Sequence, residues 1–183
     1  MSAEKETGGL SLSLYEWLQT IAAVLTAIVL VFTFLGRVTP VDGQSMEPTL
    51  HTGDQMLVWS LGYTPKQGDV VVLTKEFDAA SGPIVKRVVA VGGQRVDIDY
   101  AAGLVYVDGV PLDEPYISEA MEVPWYGGLT SVEVPEGSVF VMGDNRNHSN
   151  DSRDVTLGTV DTRYILGRAL LVFFPFGDLG LIR

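Results

Sequence analysis

Apolar and polar positions divide this chain into two unequal parts. Trp17 to Gly36 (WLQTIAAVLTAIVLVFTFLG) contains no charged residue and is bounded by Glu16 and Arg37. A run of this length, at a helical rise of about 1.5 Å per residue, covers roughly the 30 Å of a bilayer's hydrocarbon core. Tyr15 and Trp17 sit at one end, where interfacial aromatics are favoured. Gln19, Thr20, Thr26 and Thr33 do not line up as the polar stripe of a helix that packs on a protein core. A cleaved leader fits poorly. Its start should be basic and its exit small-x-small, whereas here they read Glu4-Lys5-Glu6 and Leu35-Gly36-Arg37. The pattern predicts a short tail at 1–14, a transmembrane anchor helix at 15–37 and one domain at 38–183.

Beyond Pro40 the period changes. Short β-branched runs recur between Gly, Pro and Asp: Asp69–Leu73, Ile84–Val91, Leu104–Val107, Ser138–Met142 and Ala169–Phe174. Asp108-Gly109, between apolar runs, signals a two-residue hairpin turn. Residues 114–130, broken by Pro115 and Pro124, read as an irregular loop. The fold expected is mostly β: a single transmembrane helix followed by a curled antiparallel, barrel-like sheet.

Composition narrows the chemistry. The 183 residues carry 12 Lys+Arg and 23 Asp+Glu, a net charge of -11. From residue 38 onward there are 10 basic and 20 acidic residues, so the acidity belongs to the domain and nucleic acid is excluded as a partner. The chain has no cysteine and two histidines, His51 and His148, which excludes disulfides, thiolate metal centres and histidine-rich ones.

Three stretches carry candidate chemistry. In Gln44-Ser45-Met46-Glu47-Pro48-Thr49-Leu50, Ser45 is either a turn hydroxyl or a nucleophile. In Gly82 to Gln94, strand alternation places Lys86 with Ile84, Val88 and Ala90, and Arg87 with Val85, Val89 and Val91. An ammonium in an apolar stripe loses affinity for its proton, and a neutral amine can accept one from a serine. The alternative is a lysine that reaches water from a strand edge. The third stretch, GDNRNHSNDSR (143–153), follows the strand VFVM directly. It is either a polar surface turn or a site loop fixed on a strand end.

Taken in order after one membrane segment, QSMEPTL, KRVVAVGGQ and GDNRNHSNDSR resemble the type I signal peptidases of bacteria, as do GLVYVDGVPLDEPYI and VPEGSVFVMGDNR. The likeness covers essentially the whole chain, and the size is that of the shorter, Gram-positive-like members. The resemblance implies a membrane-bound serine endopeptidase that removes signal peptides at small-x-small sites. It has no cofactor and no metal. It matches Ser45 to the nucleophile, Lys86 to the general base and Ser149 to a serine that orients the lysine amine. Asp144, Asn145, Arg146, Asp151 and Arg153 match residues that hold the site together. Met46 and Pro48 match the structural part of the nucleophile motif. The oxyanion donors implied are the Ser45 N–H and the Gly43 region, where some members carry a serine instead. The family also has an aromatic residue where Leu157 precedes Gly158. Partners implied are signal peptides of exported preproteins, membrane lipid and the neighbourhood of the translocation channel. The location implied is the cell membrane, amino terminus cytoplasmic and domain extracytoplasmic.

Three rivals stand beside this reading. One is a Ser–His–Asp hydrolase using His51 or His148. Another is a Ser–Lys autoprotease like the SOS-response repressors, against which the acidic chain and apolar run count. The last is an anchored binding protein without catalysis. The pair Trp125-Tyr126, in a Gly/Pro-flanked loop, is a candidate for bilayer contact, with packing on the sheet as the alternative.

Overall fold

In the computed structural model, the structure describes residues 4–34, 36–79, 82–124 and 127–183, with helix side chains from 13 to 30. The chain forms two compact units, Met1–Arg37 and Val38–Arg183. Trp125 and Tyr126 lie outside the described residues.

The first unit is the helix α1, Glu4–Phe34. Its Ser13–Leu30 window has a mean hydropathy of 1.5 and is entirely exposed, which is long and apolar enough to cross a membrane. Threonine hydroxyls are satisfied inside the helix: Thr20 Oγ1 donates to Glu16 O (2.9 Å) and Thr26 Oγ1 to Ala22 O (2.8 Å). A polar side chain that closes on its own backbone costs little in lipid. The helix bounds differ from the expected ones. It runs back through most of the expected tail, and Gly36 already opens a strand. An apolar run marks where lipid is favoured. Helix continues through Glu4, Lys5 and Glu6 because these are good helix formers, despite Gly8-Gly9 at about 1 kcal/mol each.

The second unit is mostly β, with short 3-10 turns at Arg146–His148, Thr162–Tyr164 and Phe176–Asp178. Its strands are β1 (Gly36–Pro40), β2 (Gln55–Trp59), β3 (Val70–Leu73), β4 (Ile84–Val91), β5 (Arg95–Asp99), β6 (Leu104–Val107), β7 (Val110–Pro111), β8 (Ser131–Glu133), β9 (Ser138–Met142), β10 (Val160–Asp161), β11 (Ile165–Phe174) and β12 (Gly180–Leu181). An eight-stranded sheet has the order β1-β2-β11-β3-β4-β9-β10, with β12 added to β11. A four-stranded sheet has the order β7-β6-β5-β8. The pairings among β2 to β12 are antiparallel.

The large sheet is buried on both faces, which explains its unbroken apolar runs. In β3, Val70 and Val72 enter one core cluster, while Val71 and Leu73 enter another. In β9, Phe140 and Met142 face the core shared with the small sheet, and Val139 and Val141 face the other way. Irregular register in β11 and β4 curls the sheet. The hairpin is as the sequence suggests: Val107 pairs Val110 across Asp108 (φ 54) and Gly109 (φ 78). Both central residues are left-handed, the requirement of a type I′ turn.

One detail of the expected alternation fails. A register shift between Val88 and Ala90 interrupts β4. Ala90 therefore joins Val89 in the core beneath the small sheet, while Val91 packs with Ile84 and Val88. The inserted residue flips every later side chain to the opposite face. Lys86 and Arg87 precede the shift and are unaffected by it. The strand β11 also starts earlier than expected, at Ile165, because it bridges two partners: its first half pairs β3 and its second half β2.

Candidate active site

Three segments converge at the centre of the large sheet. The loop between β1 and β2 presents Ser45. It closes on itself through Glu47 N–H to Gln44 O (3.1 Å), Leu50 N–H to Met46 O (2.9 Å) and Val41 N–H to Asp54 O (2.8 Å). Met46 and Leu50 are fully buried and anchor it from below. The Glu47-Pro48 peptide is cis. Asp54, also buried, accepts the His51 N–H.

The middle of β4 supplies Lys86, whose cross-strand neighbour is Val71. Lys86 is 3% exposed. Its Nζ lies 2.7 Å from Ser45 Oγ and 2.9 Å from Val85 O. Burial pushes the amine down to about 8; Asp151 and Asp144 oppose that shift and Arg153 adds to it. A lysine with this titration is half neutral only near pH 8, and its side-chain hydrogen-bond partner is a serine hydroxyl.

The 143–153 loop, at the end of β9, closes the site. Asn145 clamps the serine loop by two bonds, its N–H to Ser45 O and its Nδ2 to Gln44 O, both 3.1 Å. Asp144 takes Arg87 bidentately, from Nε (2.8 Å) and Nη2 (2.6 Å), and also accepts the Thr49 hydroxyl. Asp151 accepts the Gly143 N–H (3.0 Å) and Arg153 Nε and Nη2 (2.8 and 2.9 Å). Burial alone would raise the Asp151 carboxyl; the Arg153 guanidinium, these hydrogen bonds and Lys86 hold it below its ordinary value. Arg153 reaches on to Arg146 O (2.6 Å). Ser149 is buried, with its side chain against Gly143. A methyl on Gly143 would collide with both the Ser149 side chain and Ser45 O, so this close approach requires glycine.

Two clefts open along these segments. One, of about 280 Å³, contains Ser45 and Lys86 and is walled by Val41, Met46, Val72 and Ile84. The other, of about 500 Å³, is lined by polar groups including Glu122, Asn147, His148 and Ser149. His51 and His148 are both exposed, and the side-chain partner of Ser45 Oγ is Lys86. Among the described residues, no group of three or more His, Asp or Glu could hold a metal ion.

The model for the family described as signal peptidase, peptidase S26, matches residues 14–174. The chain belongs to that family. It is similar to signal peptidase I of Bacillus licheniformis, 36% identical and covering 98% of both chains. It is also similar to a probable signal peptidase I-1 of Synechocystis, 40% identical over 87% of this chain and 83% of that one. Signal peptidase I T of Bacillus subtilis is 35% identical over 90% and 87%. A crystal structure of a signal peptidase I from Enterococcus faecalis has a TM-score of 0.46 at 26% identity, covering 58% of this chain and 97% of that chain; family membership does not rest on it. Membership in a signal peptidase family implies a peptidase acting on signal peptides.

Each side chain expected at the site belongs to one of these three segments, with Pro48 exposed on the serine loop. The Gly43 N–H donates to Thr52 Oγ1 (3.1 Å), and the Thr52 hydroxyl returns to Gly43 O (3.0 Å). The Ser45 N–H has no acceptor among the described residues. Sequence reasoning passed over Thr49, Arg87, Glu114 and Gly143. The signal for Arg87 was its adjacency to Lys86 in a buried strand, and for Gly143 its place between an apolar strand and a polar turn.

Proposed function

We propose that this chain is a membrane-anchored serine endopeptidase with a Ser–Lys dyad that removes signal peptides from exported preproteins. The observation that carries the reading is the 2.7 Å contact between Ser45 Oγ and a buried Lys86 amine. Neutral Lys86 takes the Ser45 proton as Oγ attacks the carbonyl carbon that precedes the cut. The oxyanion forms against the Ser45 N–H. The protonated amine then gives its proton to the departing amine of the mature chain, leaving an acyl-enzyme. Water, deprotonated by the same lysine, attacks the ester and releases the signal peptide.

Ser149, Asp144, Asn145, Arg146, Asp151 and Arg153 hold this geometry, and Met46 and Pro48 shape the serine loop. The apolar wall of the smaller cleft suits small side chains at the first and third positions before the cut. Residues 15–37 anchor the enzyme in the cell membrane as a single span. The 1–14 tail is cytoplasmic. The 38–183 domain is extracytoplasmic, beside lipid and the translocation channel, where preproteins emerge.

The test is cleavage of a preprotein with an Ala-x-Ala site, in detergent, by wild type, Ser45→Ala and Lys86→Ala. Cleavage by wild type alone is expected. Cleavage by Lys86→Ala would point to another base, with His148 first in line. A folded wild type that leaves the site intact would move the weight to a binding protein.

A further inference from the structure

The segment between β7 and β8 is expected to be an irregular loop, and its described residues form no helix or strand, yet it is tied to the 143–153 loop at two places. At its start, Glu114 takes both Nη1 (3.0 Å) and Nη2 of Arg146. These two side chains are 5% and 1% exposed, so the pair is buried. Further along, Asn147 Nδ2 donates to Glu119 Oε1 (3.0 Å) and Ala120 O (3.1 Å), and Asn147 Oδ1 accepts the Glu122 N–H (2.9 Å). Between these ties stands Tyr116. Its ring covers the Arg87 guanidinium at 4.0 Å from the centroid, and Arg146 lies 6.0 Å from the same ring. The Tyr116 hydroxyl donates to Glu114 Oε1 (3.0 Å).

Arg87 follows Lys86 in β4 and is 1% exposed. Its donors are already engaged: Nε and Nη2 by Asp144, Nη1 by Gly68 O (2.8 Å) and Arg183 O (2.9 Å), and Nη2 again, at 3.5 Å, by Thr49. A guanidinium whose edge is used up still needs its faces covered. An aromatic ring is the group that does this without competing for donors. The hydrogen bond and ring contacts of Tyr116 go to Glu114, Arg87 and Arg146, and those of Lys86 go to Ser45 and Val85.

We propose that Tyr116 is a positioning residue for the reaction, its ring holding Arg87 square on Asp144 and thereby fixing Lys86 against Ser45. This rests on the Ser–Lys reading above. The charged groups around the dyad are Asp144, Asp151 and Arg153 from the loop, Arg87 from β4, and Arg146 with Glu114 one layer out. Without the ring, water reaches the Arg87–Asp144 pair, the Asp144 charge is less well matched, and both changes favour the ammonium form of Lys86.

The experiment compares wild type, Tyr116→Leu, Tyr116→Phe and Lys86→Ala, full length in detergent, on an Ala-x-Ala preprotein from pH 6 to 10, with a thermal melt of each. For Tyr116→Leu, kcat should fall about tenfold to thirtyfold, KM should stay within about threefold, and the ascending pH limb should move upward. Tyr116→Phe keeps the π face and should restore kcat to within about threefold of wild type. A purely structural role would lower the melting temperature and leave the pH limb in place. An unchanged kcat and limb in folded Tyr116→Leu overturns the proposal, as does a Phe variant that falls as far as the Leu variant. Should Tyr116→Leu fail to fold, Tyr116→Phe decides alone: retention supports the ring, a tenfold loss overturns it. Cleavage by Lys86→Ala, or none by wild type, sinks the Ser–Lys reading itself and this proposal with it.

Discussion

Two regions of this domain use the same chemistry in opposite surroundings. Around Ser45 and Lys86, Arg87–Asp144, Arg146–Glu114 and Arg153–Asp151 pair with side-chain exposures of 0–5%. On the surface, Arg95–Asp97 and Arg163–Asp161 pair at comparable distances, 3.0 and 2.7 Å, with arginine exposures of 53% and 85%. Water screens the outer pairs and they contribute little. The inner ones have been taken out of water, which costs more than their attraction returns unless each remaining donor and acceptor is placed. Each buried pair is accordingly supported by neighbouring hydrogen bonds: Asp151 accepts Gly143 N–H, and Arg153 donates to Arg146 O. The difference teaches that these buried pairs organise geometry around the Ser45–Lys86 contact and are poor candidates for general stabilisers.

Substitutions can break that contrast. The largest effect should come from the dyad: Ser45→Ala and Lys86→Ala should each lower preprotein cleavage at least about a thousandfold with the fold intact by circular dichroism. Next, Arg153→Ala leaves the Asp151 carboxylate buried without its cation. Chemical denaturation should show a loss of about 3–5 kcal/mol together with loss of cleavage. Gly143→Ala should follow, at about 1–3 kcal/mol from overpacking, with a fall in kcat as the Ser45 carbonyl and Ser149 are pushed apart.

Lys86→Met sharpens the comparison in the other direction. The folded amine titrates near 8, below its unfolded value of about 10.5. Between those values the unfolded chain binds a proton that the folded one has released, so wild-type stability rises with pH across that window. Below about 8 the full cost of a buried ammonium is present. The Met variant should therefore melt higher than wild type at pH 7, and its advantage should shrink between about pH 8 and 10.5. At the bottom of the order, Asp161→Asn should leave both the melting temperature and cleavage unchanged, because its partner Arg163 is solvated.

Much of this was legible in the chain. Lys86 stood out because a charge in the run Ile84–Val91 has no water to face, and the structure buries it there. The polar turn 143–153 was legible through its density of Asp, Asn and Ser directly after an apolar strand. The partners Glu114 and Tyr116 were not, since no local period links residues 114–116 to Arg87 and Arg146; only the folded loop brings them together. The shift in β4 was hidden for a related reason. Val89 and Ala90 are both apolar, so the sequence looks the same whichever face each takes, and cross-strand packing decides.

The most direct test of the central claim is the pH dependence of single-turnover cleavage of an Ala-x-Ala preprotein by the full chain in detergent. Activation of Ser45 by a neutral Lys86 predicts a rate that climbs with pH through an apparent pKa near 8 and is absent in Lys86→Ala. A limb near 6.5, the ordinary range of histidine, that persists in Lys86→Ala and disappears in His148→Ala would contradict it.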